Sequence, residues 1–321
     1  MSTNEQFTNA QYCSPSVKFS DNTCFSKKSL IKIAENIERK KKVKIPKNLS
    51  KKNLWKRIKL ELSEHCNEKT EVCWITHPVL SDMLNIESSL YNDDQDDLSE
   101  NAKKILNNTF KPPKPKGKYA WLSTLDIEKV MDQYEKIKWQ DDNNFNFSYI
   151  GPVPIDFDYK DSLGQCVSNE LCNIDLKKLF KKGIKFIGIT FNLDPHYKPG
   201  IHWVSMFIDF ERNTIEYFDS FGIAPPEEVY KLVNKFIENC KKQNIKLIFS
   251  WNNKEIQRNN SECGIYSIYF LTQRLHGNTF DDIIKKLKKK RSADYLMNSL
   301  RDIFFINSKY YNLKDMEAYE Y

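Results

Sequence analysis

"HWVSMFIDFERNTIEYFD", residues 202–219, decides how this chain folds. Two runs rich in β-branched and aromatic residues, "HWVSMFIDF" and "NTIEYFD", are joined by the turn "ERN" and read as paired strands. "KFIGITFNL" before them and "IKLIFSW" after them are β-rich in the same way. Helical candidates lie at Pro226 to Lys241 and from Cys263 to about Leu275, so the expectation is an α+β domain around a small sheet. A further helix is expected after "WLST", where an S/T-x-x-D/E start precedes Ile127, Val130, Met131 and Tyr134 at helical spacing.

The same hairpin carries candidate chemistry. His202 stands directly ahead of one strand and Asp219 ends its partner, so a chain that returns beside its own start brings imidazole and carboxylate together. Downstream, "NNSECGIYSIYF" (259–270) sets Cys263 before an apolar run. Read alone, a cysteine beside Ile265, Ile268 and Phe270 is a core thiol, a histidine at a strand end is structural, and Gln257 is a surface amide. Read together they make a set. A thiol nucleophile needs a base, a group that orients the base, and a donor for the oxyanion, which His202, Asp219 and Gln257 would supply. Cys263 would also open a helix, whose positive dipole end favours a thiolate.

Composition bounds the alternatives. The chain has 321 residues with 40% hydrophobic content, enough for one large or two modest cores. Lys+Arg 50 against Asp+Glu 43 gives a net charge of +7 on a mixed surface. An acidic partner or nucleic acid could meet the basic runs "ERKKKVKIPK" and "KKLKKKRS", but nothing in the balance demands one. No stretch is apolar for the roughly 18 to 20 residues that a membrane span needs, so a soluble protein is expected. The start, "MSTNEQFTNAQYC", lacks an apolar signal segment, and the eight cysteines sit at irregular spacings; reduced thiols in a cytosolic compartment are expected. His65, Cys66, Cys73 and His77 match no usual structural-zinc spacing, and no metal site is assigned.

The organisation is read as two parts. "SKKSLIKIAENI" (26–37) and "LWKRIKLELSEHC" place apolar residues on one helical face each, so residues 1–115 form a helical arm. An acidic and then Pro/Lys-rich linker at about 91–117 leads to a domain over 116–321.

"HWVSMFID", "YFDSFG", the intervening glutamine and "SECGIYSIYFL" resemble the catalytic segments of the ubiquitin-like-protein-specific cysteine proteases. That family includes SUMO deconjugases, the adenovirus protease (adenain) and the core-protein proteases of large DNA viruses. The resemblance implies an α+β, papain-related core with a helical N-terminal extension. It implies His202 as base, Asp219 as its orienter, Gln257 as oxyanion donor and Cys263 as nucleophile, with no metal or organic cofactor. "AWLSTLDI" and the residue after the histidine match the family's two tryptophans, so Trp121 and Trp203 are expected to clamp the substrate and admit only glycine beside the scissile bond. "SEC" departs from the aspartate that cellular members often carry before the cysteine, which leaves fine substrate preference open at Glu262. The N-terminal block is similar to the extension on proteases of nucleocytoplasmic large DNA viruses such as African swine fever virus and mimivirus-like giants. From that branch follows the expectation of a protease in the virion and host cytoplasm that matures viral structural polyproteins after Gly-Gly-type sites. Two other readings stay open: a deconjugase that removes a ubiquitin-like modifier from host proteins, and a non-catalytic, basic virion or nucleic-acid-binding protein.

Overall fold

The computed structural model describes residues 12–63, 66, 71–74, 77–81, 108–137, 146–289 and 293–306. His65, most of the 91–117 linker and the end of "KKLKKKRS" lie outside them. The chain divides into two compact units, Met1–Lys116 with Asp302–Tyr321, and Gly117–Arg301.

In the first unit, α1 (Lys27–Lys41) and α2 (Lys51–Leu62) begin at serine caps, where the Ser26 and Ser50 side chains accept from the Ser29 and Asn53 amides. Leu30, Ile33, Ala34 and Ile37 of α1 and Leu54, Ile58 and Leu62 of α2 are buried in one apolar cluster with Phe25, Trp74 and Phe110. Three- and four-residue spacing puts each set on one face, and that face is what the unit buries.

The second unit starts with α3 (Thr124–Glu135), which opens on a capping box: Ser123 accepts from the Asp126 amide, and the Asp126 carboxylate accepts from Ser123. Five strands form the sheet in the order β1 (Phe147–Pro154), β2 (Phe186–Asn192), β3 (Trp203–Asp209), β4 (Thr214–Phe218) and β5 (Ile248–Trp251). β2, β3 and β4 pair antiparallel in sequence, and the outer strands add parallel to them. Alternation sorts the side chains of β2 and β3 between two buried faces. Ile187, Ile189, Phe191, Val204, Met206 and Ile208 face one core, shared with Val229, Leu232, Val233 and Phe236 of α4 (Glu227–Lys241). On the other face Phe147 and Phe186 stack with Phe207, and the chain folds back as α5 (Cys263–Leu275), whose Arg274 lies 5.0 Å over the Phe207 ring. Two more helices follow, α6 (Phe280–Lys289) and α7 (Ala293–Phe304).

Strand β1 was not expected from the sequence. Pro152 and Pro154 argue against a strand, but the register slips between Ile150 and Val153 and so takes up the first of them in a bulge. Gly151 sits there at φ +117°, where an added Cβ would lie 2.8 Å from the Thr190 carbonyl oxygen. Among the described residues no helix is long and apolar enough to cross a membrane.

The cysteines need a correction. Instead of eight reduced thiols, the structure pairs Cys13 with Cys24, Cys66 with Cys73 and Cys166 with Cys172 as disulfides, with Cα separations of 5.3, 5.9 and 6.3 Å. The fold brings each pair within bridging distance, which linear spacing does not reveal. Cys240 and Cys263 are free and buried.

Candidate active site

The strands of the hairpin end at one edge of the sheet. Ser205 pairs with Phe218, so His202 and Asp219 leave β3 and β4 on the same side. There His202 Nε2 donates to Asp219 Oδ1 at 2.8 Å, with the carboxylate fully buried. Nδ1 is left for the thiol of Cys263, which interacts with the ring from the first turn of α5. Burial pulls the His202 pKa down, but its bonds and charge interactions with Asp219 and Cys263 outweigh that and push it up to about 9. A ring whose pKa is raised in this way holds a proton well and can serve as a proton donor.

Several neighbours hold this geometry. Phe221 stacks on His202 with centroids 4.7 Å apart, and its amide donates to Asp219 Oδ1 at 2.8 Å. Asn252, just beyond β5, brackets the Asp219 backbone: its Oδ1 accepts from the Asp219 amide at 3.0 Å and its Nδ2 donates to the Asp219 carbonyl at 2.6 Å. Asn252 carries no sequence signal by itself, because one asparagine in "SWNNKE" looks like any loop residue. Phe221 lies inside the quoted "YFDSFG", yet only the fold shows that its ring reaches the imidazole.

Gln257 is fully buried rather than a surface amide. Its Oε1 accepts from the Ser220 hydroxyl at 2.6 Å, and its Nε2 donates to the Asn259 carbonyl. The backbone amides of Ile256 and Gln257 both donate to the Ser220 carbonyl at 2.9 Å. The amide group is thus fixed in orientation, with the second hydrogen of its NH₂ uncommitted. Glu262 is also buried, and it forms an ion pair with Arg301 at 3.0 Å rather than facing a substrate.

Beside His202 opens a cleft of about 490 Å³ that is lined in part by Trp121, Pro152, Pro154, Gly200 and Trp203. The two tryptophans differ in exposure. Trp203 is buried and its Nε1 donates to the Leu122 carbonyl at 2.9 Å, whereas Trp121 is 51% exposed. Leu122 also packs on the start of α5, since a Cβ on Gly264 would come within 3.0 Å of the Leu122 Cβ. Glycine after Cys263 lets the "WL" segment and the start of α5 approach closely. Among the described residues no group of His, Cys, Asp and Glu could hold a metal ion.

A thiol and a buried carboxylate that both engage one imidazole, itself on an open cleft, can transfer an acyl group through a thioester. The comparisons with known proteins agree in kind. The family model described as "Ulp1 protease family, C-terminal catalytic domain" matches residues 165–304. A candidate thiol protease of Acanthamoeba polyphaga mimivirus is 31% identical over 303 residues, which is 89% of this chain and 90% of that protein. A cysteine protease of African swine fever virus is 27% identical over 245 residues, covering 72% of this chain and 84% of its own length. A crystal structure of an African swine fever virus protease matches in fold with a TM-score of 0.61, covering 92% of this chain and 96% of the other at 20% identity.

Proposed function

The chain belongs to the Ulp1 family of cysteine proteases, and we propose that it is an endopeptidase that cuts viral structural polyproteins after Gly-Gly-type sites, acting in the virion and host cytoplasm. The observation that carries the chemistry is that one imidazole, His202, engages both the Asp219 carboxylate and the Cys263 thiol. In this reading the Cys263 sulfur attacks the scissile carbonyl as its proton passes to His202. The Cys263 amide and the Gln257 side chain take the oxyanion, and the His202 imidazolium protonates the leaving amine before water releases the acyl group.

The substrate class is supported by the cleft and the relatives. Both indoles line the cleft, and a clamp formed by them would favour a residue without Cβ, glycine, at the scissile bond. A virion-maturation role is supported by the mimivirus and African swine fever virus relatives, which match along most of their length. The test is mass spectrometry of precursor proteins incubated with wild type and with Cys263→Ala. New termini following Gly-Gly with wild type alone are expected. If only a folded ubiquitin-like conjugate is cut, the enzyme is a deconjugase instead.

A further inference from the structure

The mechanism above does not use a buried cluster that lies on α7. Asp294, Asn298 and Arg301 recur at four- and three-residue spacing, which places them on one face of that helix. Each grips the loop that runs from Gln257 to Cys263. Asp294 Oδ2 accepts from the backbone amides of Arg258 and Asn259, at 3.0 Å each, and its Oδ1 accepts from the Tyr266 hydroxyl of α5 at 2.8 Å. Asn298 Nδ2 donates to Glu262 Oε1 at 3.1 Å. Arg301 Nε donates to Glu262 Oε2 and its Nη2 to the Ser261 carbonyl, both at 3.1 Å. Arg301 and Glu262 are essentially inaccessible to solvent.

We infer that this face of α7 is a clamp that sets Gln257 and Cys263 at their working separation, and that Asp294 and Arg301 are positioning residues for the reaction. The inference rests on reading Cys263 as nucleophile and Gln257 as oxyanion donor. A loop has many backbone states, and those two residues stand at its ends. Secondary structure alone does not fix the segment between them. What ties it down is a run of side-chain contacts to backbone amides, a carbonyl and the carboxylate preceding the nucleophile. A small misplacement of reacting groups lowers rate far more than it lowers substrate binding. Arg301 meets Glu262 through two of its nitrogens, a match to the carboxylate that lysine cannot reproduce.

The experiment compares two fully buried arginines. Arg274, in the last turn of α5, pairs with Glu216 and Asp209 and does not touch the 257–263 loop. Arg301→Lys and Arg274→Lys are made in the full chain, and three quantities are measured: thermal midpoint, kcat and KM on a Gly-Gly peptide, and the rate at which iodoacetamide modifies Cys263 without substrate. Both variants should melt at lower temperature. Below melting, Arg301→Lys should lower kcat about 10-fold or more with KM within about 2-fold, and slow the modification of Cys263. Arg274→Lys should leave kcat and modification near wild type. If Arg301→Lys behaves like Arg274→Lys, the clamp is only structural and the inference fails. Should Arg301→Lys not fold, Asn298→Ala decides: a kcat loss of about 3-fold at constant KM supports the clamp, and an unchanged kcat overturns it. If Cys263→Ala keeps peptidase activity, the functional reading falls, while the modification rates still decide whether α7 positions this cysteine.

Discussion

Cys240 and Cys263 are both unbridged, both buried and both on helices, yet their surroundings have little in common. Cys240 closes α4 among Val233, Phe236 and Leu247, and burial there pushes its thiol up to about 11. Cys263 opens α5 against an imidazole that is itself tied to a carboxylate. Burial therefore does not distinguish a core thiol from a nucleophile. The distinction lies in which end of the helix carries the cysteine and which polar partners reach it.

The largest expected effect breaks the comparison outright. Cys263→Ala should lower kcat/KM at least on the order of 10³-fold while the protein stays folded, because covalent catalysis is lost and little volume is disturbed. Cys240→Ala should leave kcat/KM within a few-fold of wild type and cost about 1 kcal/mol of stability. Equal losses of rate in the two variants would show that Cys263 is one more packing residue.

Next comes Gln257→Ala. Losing an oxyanion donor costs about 2.7–4 kcal/mol of transition-state stabilisation, a drop of roughly 10² to 10³ in kcat. The Ser220 hydroxyl also loses its buried acceptor, so a melting measurement is needed alongside. Unchanged kcat in a folded variant would remove Gln257 from the mechanism.

Asp219→Asn should be the mildest of the catalytic changes, since asparagine can still orient the ring. Its signature is in the pH profile. Folding raises the His202 pKa from 6.5 to about 9, so the ring contributes stability that is complete below pH 6.5 and is lost as pH climbs through about 9. Steps that need the imidazolium should fade over the same upper range. Removing the aspartate charge leaves desolvation less opposed, and the alkaline limb of kcat should move to lower pH. A limb that stays in place would mean that Asp219 does not set the charge state of His202.

Much of this was legible in the sequence where local rules act without competition. The β-rich runs around "ERN" became β3 and β4, and Ser123 with Asp126 marked the start of α3. The His202–Asp219 contact followed from hairpin geometry. Long-range packing hid the rest. Two prolines masked β1, whose bulge is set by a neighbouring strand. Nothing about Asn252 announces that it would hold the Asp219 backbone thirty-three residues away. The basic run "KKLKKKRS" drew attention to charge, whereas the residues that matter came just after it, in α7. Glu262, which looked like a question of substrate preference, is an internal ion-pair partner.

The clamp on α7 also has a consequence in time. Chains emerge from the ribosome N-terminus first, and the partner of Glu262 lies thirty-nine residues downstream of it. The hairpin, the imidazole and the thiol can all be synthesised, and even packed, before Arg301 exists. A nascent chain at that stage would hold its reactive sulfur without a fixed oxyanion site. Proteolysis would then begin only after α7 has docked, so a peptidase translated beside its own substrates would stay idle until that helix is in place.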